Sequence, residues 1–128
     1  MAGDLLTKFR ETGATSSEPT EYVAFAGKDS PSYLDIRRVA AASHTPFYNY
    51  LCNVPYDRQF ETSFFIQYPF MVVKVQGRNL REVYFAVQNR KASYIQEYDP
   101  GKWPNPPNDK APFIEVIEIE MRGENKNT

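Results

Sequence analysis

The chain has 128 residues, a formal net charge of −1, 41% hydrophobic residues and 24% charged ones. That length suits a single domain with one core, and the near-neutral balance excludes a protein that binds polyanions by bulk charge. Aromatic residues reach 15%, with nine Tyr and nine Phe, enough apolar area to build a core without disulfides and leave some for a surface.

Asp4 is placed to cap a short helix carrying Leu5, Leu6 and Phe9 on one face and stopping at Gly13. With the turn-forming residues 14–20, this makes residues 1–20 a helical arm and linker. Residues 21–122 read as one α+β domain and residues 123–128 as a disordered tail.

Within the domain, residues 21–27 read as a strand ended by Gly27. Residues 32–39 alternate Leu34 and Ile36 against Asp35 and Arg37, as a half-buried strand does. Turn chemistry at 28–31 favours pairing these two as a hairpin. Phe47, Tyr50 and Leu51 fall at helical offsets before Pro55, so a short helix is expected there. Residues 62–77 are rich in β-branched and aromatic residues and read as two strands, or one strand bent at Pro69.

After Gly77 the period changes. Leu80, Val83, Tyr84 and Val87 form one helical stripe, Asn79 is a candidate N-cap, and Glu82 sits where a capping-box acid belongs. These signals predict a helix over about 79–90, with a hairpin as the rival because Val83, Phe85 and Val87 also alternate. Residues 92–99 return to period two, so strand–helix–strand predicts a crossover between parallel strands. Residues 100–112 hold five prolines and read as a stiff surface loop that Trp103 anchors. Residues 113–121 read as a strand with Ile117, Ile119 and Met121 inward, Glu118 and Glu120 outward, and a bulge near Val116. The expected fold class is α+β: one five- to six-stranded, mostly antiparallel sheet, one main helix at about 79–90 and a short N-terminal helix.

Chemistry-bearing motifs are few. Gly77-Arg78-Asn79 stands between a strand and a helix, where anions bind free N–H groups, but one glycine does not make a phosphate loop. His44 and Cys52 are the sole residues of their kinds and stand eight apart, which fits no metal-ligand spacing. Asp35, Asp57, Glu61 and Glu97 share no motif. These residues therefore point to no catalytic residue, no metal site and no cofactor. The single cysteine excludes an internal disulfide and fits a reducing compartment. The most apolar stretch, Phe64 to Val75, is broken by Gln67, Pro69 and Lys74, too short to span a bilayer. A soluble, cytoplasmic protein is expected, with no membrane partner.

Two functions fit these features. The leading one is a non-enzymatic binding or assembly module with a protein partner, first of all itself as a homo-oligomer. Its interface candidates are Leu5, Leu6, Phe9, Trp103 and the acidic strand at 113–121. The second is a small RNA- or single-strand-binding domain using the basic segment 72–92. There Lys74, Arg78, Arg81, Arg90 and Lys91 face one acid, with Tyr94 nearby to stack bases. Arg37 or Arg38 would extend that patch, but not both, because neighbours on a strand point to opposite sides.

Overall fold

A computed structural model describes residues 21–122. The expected N-terminal helix with Leu5, Leu6 and Phe9, and the tail 123–128, lie outside the described residues. The described residues form six strands and one α-helix: β1 Phe25–Gly27, β2 Asp35–Arg37, β3 Ser63–Tyr68, β4 Met71–Arg78, α1 Arg81–Gln88, β5 Ala92–Gln96 and β6 Phe113–Met121. The class is α+β. The strands make two three-stranded sheets, ordered β1-β5-β2 and β3-β4-β6, which corrects the expectation of one sheet. The reason is topological. β4 is paired on one side by β3 and on the other by β6, and β5 is likewise flanked by β1 and β2. Neither central strand has an open side for the other, so α1 carries the chain from sheet to sheet.

Two pairings differ from the sequence expectation for the same reason. β1 and β2 do not form a hairpin with each other. β1 runs antiparallel to β5 and β2 parallel to it, Phe25 and Ile36 both lying opposite Ile95. The parallel pair is therefore β2 with β5, not β4 with β5. β3 and β4 are separate strands joined by a tight turn at Pro69 and Phe70, in register from Ser63↔Gln76 to Tyr68↔Met71. Proline lacks a ladder donor, so it belongs in that turn.

The alternation in these strands decides which faces are buried. Phe64, Ile66 and Tyr68 of β3 face inward with Met71, Val73 and Val75 of β4. Leu80, Val83, Tyr84 and Val87 of the helical stripe are buried against the same core, which also takes Ile36 and Ile95 from the first sheet and Leu34 just before β2. Fully burying side chains of this kind is worth about 1.5–3 kcal/mol each before conformational entropy is counted, so the stripe accounts for α1 being stable at only eight residues.

The ends of α1 are not closed as the sequence implies. No side chain caps its first turn, and the residue before Arg81 is Leu80 in a non-helical conformation. Asn79 has φ 56°, and its amide donates to the carbonyls of Asp109 at 2.6 Å and Ala111 at 3.1 Å. It pins the proline-rich loop instead of capping the helix. Gly77 has a distinct task. A Cβ there would lie 1.9 Å from the carbonyl oxygen of Phe113, where β4 and β6 meet at a bulge. Gln76 faces Val116 and Gly77 faces Ile114, leaving Glu115 as the extra residue. The glycine serves strand approach, not an anion.

The bulge restores the inward face for Ile114 and Ile117, both buried, while Met121 at the strand end is 57% exposed, against the expectation that it faces in. The segment expected as a short helix near residue 47 is a single 3-10 turn, Tyr48–Tyr50.

Links between the sheets come from the segment after β5. The Tyr98 N–H donates to the Ile114 carbonyl at 2.9 Å. Glu97 accepts from the N–H of Val39 with one oxygen and from that of Ile117, at 2.6 Å, with the other. Trp103 is 3% exposed, in a cluster with Tyr22 at 5.1 Å and Tyr98 at 6.3 Å between ring centroids. It fixes the proline-rich loop on the core.

Candidate functional site

The basic segment 72–92 is divided by the fold. Lys74 stands over the Phe65 ring on the outer face of the second sheet, opposite Glu118. Arg78 lies 4.2 Å from the centroid of Phe113, and Arg81 covers Phe85. Tyr94 lies under the guanidinium of Arg37, 3.9 Å from its ring centroid, and Arg37 is paired with Asp35 at 2.9 Å. Arg38 turns away to the carbonyl of Ala42. Arg90 and Lys91 stand at the opposite end of α1 from Arg81, about 13 Å along the axis at helical rise.

Arg90 and Lys91 share a cleft of about 540 Å³ with the loop at residues 30–32 and the 3-10 turn. Its walls carry the hydroxyl residues Ser30 and Ser32, the amides of Asn49 and Asn89, and the ring of Phe47. Its lining contains two cations and no Asp or Glu. A smaller cleft on the other side of the same loop adds Lys28, Tyr33 and Ser93.

The end of α1 is closed without these side chains. The N–H of Lys91 donates to the Ala86 carbonyl at 2.8 Å and that of Arg90 to the Val87 carbonyl at 3.0 Å. These two bonds make a Schellman closure, in which backbone alone satisfies the last carbonyls. Arg90 holds the left-handed position of that motif, with φ 59°, where glycine is the usual residue. A non-glycine residue there costs about 1–2 kcal/mol. A cation near a helix C-terminus gains about 0.3–1 kcal/mol from the dipole, and Lys91 next door supplies that already. Ser30, on the facing loop, is also left-handed, with φ 50°. Strained residues on both walls of one cleft are a feature of functional sites.

Behind the cleft stand two buried phenols. Tyr48 donates its O–H to the Ala92 carbonyl at 2.7 Å, whereas the Tyr68 hydroxyl has no partner among the described residues. Burial pushes both phenols well above their usual value, and the charge of Arg90 works against that shift.

A second surface lies at the other end of the 3-10 turn. Residues three apart on such a turn eclipse. Phe47 and Tyr50 are so related, and the Tyr50 N–H donates to the Phe47 carbonyl. Tyr50 and Phe47 are each 53% exposed. Phe47 packs against Tyr33 at 6.3 Å, and Tyr50 packs edge-on against Phe70 at 5.8 Å. Phe70 is 37% exposed, and Met121 stands opposite Met71, the residue after it. Tyr50 and Phe70 thus form an apolar surface at the β3–β4 turn, with Met121 exposed at the neighbouring end of β6.

Sequence reasoning found Arg90 and Lys91 but missed Lys28, Ser30, Phe47, Tyr50 and Phe70. The only signal for the three aromatic ones was the overall surplus of aromatics, and none marked Lys28 or Ser30. Of the interface candidates, Trp103 is buried within the domain, and Glu118 and Glu120 of the acidic strand are exposed. Among the described residues no group of three or more His, Cys, Asp or Glu is arranged to hold a metal ion, and no helix is long and apolar enough to cross a membrane.

No protein-family model matches the chain, and neither a curated protein nor a solved structure shows a significant match to it.

Proposed function

We propose that this protein is a binding or assembly module, without catalysis of its own, that associates with a second copy of itself through the apolar surface of Tyr50, Phe70 and Met121. The supporting observation is that three large apolar side chains, Tyr50, Phe70 and Met121, stand exposed near one end of the second sheet, whereas Phe64, Ile66, Tyr68, Met71, Val73 and Val75 of that sheet are buried. Aromatics and methionine are enriched at interfaces, the aromatics because rigid rings bury much area at little entropic cost and methionine because it adapts to irregular surfaces. The acidic strand supports the choice of this end over the β6 edge. Two antiparallel copies of β6 centred on Ile119 would set Glu118 of each against Glu120 of the other, and like charges directly opposite repel.

Light scattering after size separation tests the reading. The wild-type protein is expected to run as a multiple of the 14.8 kDa chain, and Tyr50→Ser with Phe70→Ser is expected to return it to one chain. A strict monomer across the accessible concentration range would sink self-association.

A further inference from the structure

We infer that the cleft between the residue 30–32 loop and the C-terminal end of α1 binds a nucleotide unit, its phosphate held by Arg90 and Lys91 and its base stacked on Phe47. The cleft shares the 3-10 turn with the surface assigned to self-association but uses Phe47 where that surface uses Tyr50, and the inference does not depend on that reading.

Four observations converge on this chemistry. The cleft holds two cations and no carboxylate, and among the described residues the only ion pair is Arg37 with Asp35, so neither cation is paired within those residues. Neither side chain is needed to close the helix end, because backbone N–H groups do so. Arginine suits a phosphate because its planar guanidinium presents a fork of donors. Ser30, Ser32, Asn49 and Asn89 supply further donors along the walls.

The ring partner is Phe47, half exposed and steadied by Tyr33 at 6.3 Å. Stacking on an aromatic face is tolerant of base identity, and single-strand readers combine it with cations that follow the backbone. The cleft volume of about 540 Å³ falls within the usual range for small-ligand sites, about 300–1,000 Å³. Beyond the loop rib, Lys28 lies in the adjoining cleft, which Asp35 and its ion-pair partner Arg37 also line, placed to meet a neighbouring phosphate of a strand. The cationic side chains thus come from two stretches of chain, Lys28 and residues 90–91, rather than from the single basic run in the sequence.

The test uses the full chain with three probes: uridine monophosphate, a short fluorescent oligothymidine, and inorganic phosphate. Affinities are measured at low and at physiological salt. The expected result is binding of the monophosphate or the oligomer that weakens with salt and falls at least about tenfold in the double variant Arg90→Gly, Lys91→Ala. Glycine suits the backbone of position 90, so that variant keeps its fold, and thermal melting confirms it. Phe47→Ser is expected to weaken the nucleotide and the oligomer and to leave inorganic phosphate unchanged. An oligomer bound more tightly than the monophosphate, with further loss in Lys28→Ala, identifies a strand as the source. Equal affinities identify a free nucleotide. The inference is overturned if neither nucleotide probe binds at low salt, if binding ignores the Arg90 and Lys91 changes, or if inorganic phosphate binds as well as the monophosphate.

Discussion

The phenolic oxygen of Tyr22 accepts a hydrogen bond from the backbone N–H of Ile114 at 3.1 Å, joining residues 92 positions apart. The same hydroxyl donates to the carbonyl of Gln96 at the end of β5. One side chain thereby ties the first sheet to β6 of the second, at the point where the bulge interrupts the ladder. Tyr22→Phe leaves the buried Ile114 N–H without this acceptor, which costs about 1–3 kcal/mol. Tyr68→Phe is the control, because its hydroxyl is equally buried but unpartnered. That change is expected to be neutral or mildly stabilising. Urea unfolding of both variants checks the contrast, and equal losses would show that Tyr68 has an unseen partner.

Burial holds the phenols of Tyr22, Tyr48 and Tyr68 above their usual range. In the unfolded chain they ionise near about pH 10. Below that value both states keep the proton and stability does not depend on these groups. Above it the unfolded chain releases protons that the folded one retains, so stability falls as pH rises toward the folded values. The urea midpoint is expected to be flat between about pH 8 and 9.5 and to drop beyond about 10, with a shallower drop in Tyr48→Phe. A midpoint unchanged up to about pH 11.5 would contradict the burial of these groups.

Gly77→Ala places a methyl group against the Phe113 carbonyl. Backbone on both sides must shift, and overpacking of this kind costs about 1–3 kcal/mol, occasionally more. The change is expected at the upper end, because the obstacle is main chain and not a flexible side chain. Thermal unfolding measures it. A variant as stable as the wild type would mean that the bulge relaxes freely.

Arg90→Gly is expected to raise stability by about 0.5–1 kcal/mol, the relief of left-handed strain exceeding the added freedom of the unfolded chain. Denaturant titration reads this directly. A loss instead would show that the guanidinium contributes to folding, and would weaken the case that it is held for a ligand.

The elements that local pattern specifies were legible in the sequence. The stripe Leu80, Val83, Tyr84 and Val87 identified α1, and its residues are all buried. The β-branched run identified β3 and β4, and the acidic alternation identified β6 and its bulge. Asn79 misled because cap preference and tolerance of a positive φ belong to the same residue type. Which of the two is used depends on whether the proline-rich loop comes within reach of the amide, and it does.

What the sequence alone determined is the set of faces: which residues on each strand and on the helix turn inward, since periodicity is a property of near neighbours along the chain. What only the tertiary structure decided is partnership. Whether β5 lies beside β4 or between β1 and β2, and whether Arg90 meets Ser30 and Phe47 across a cleft, depends on contacts between distant segments. Their side chains must fill one shared core, and no local pattern encodes which segments meet.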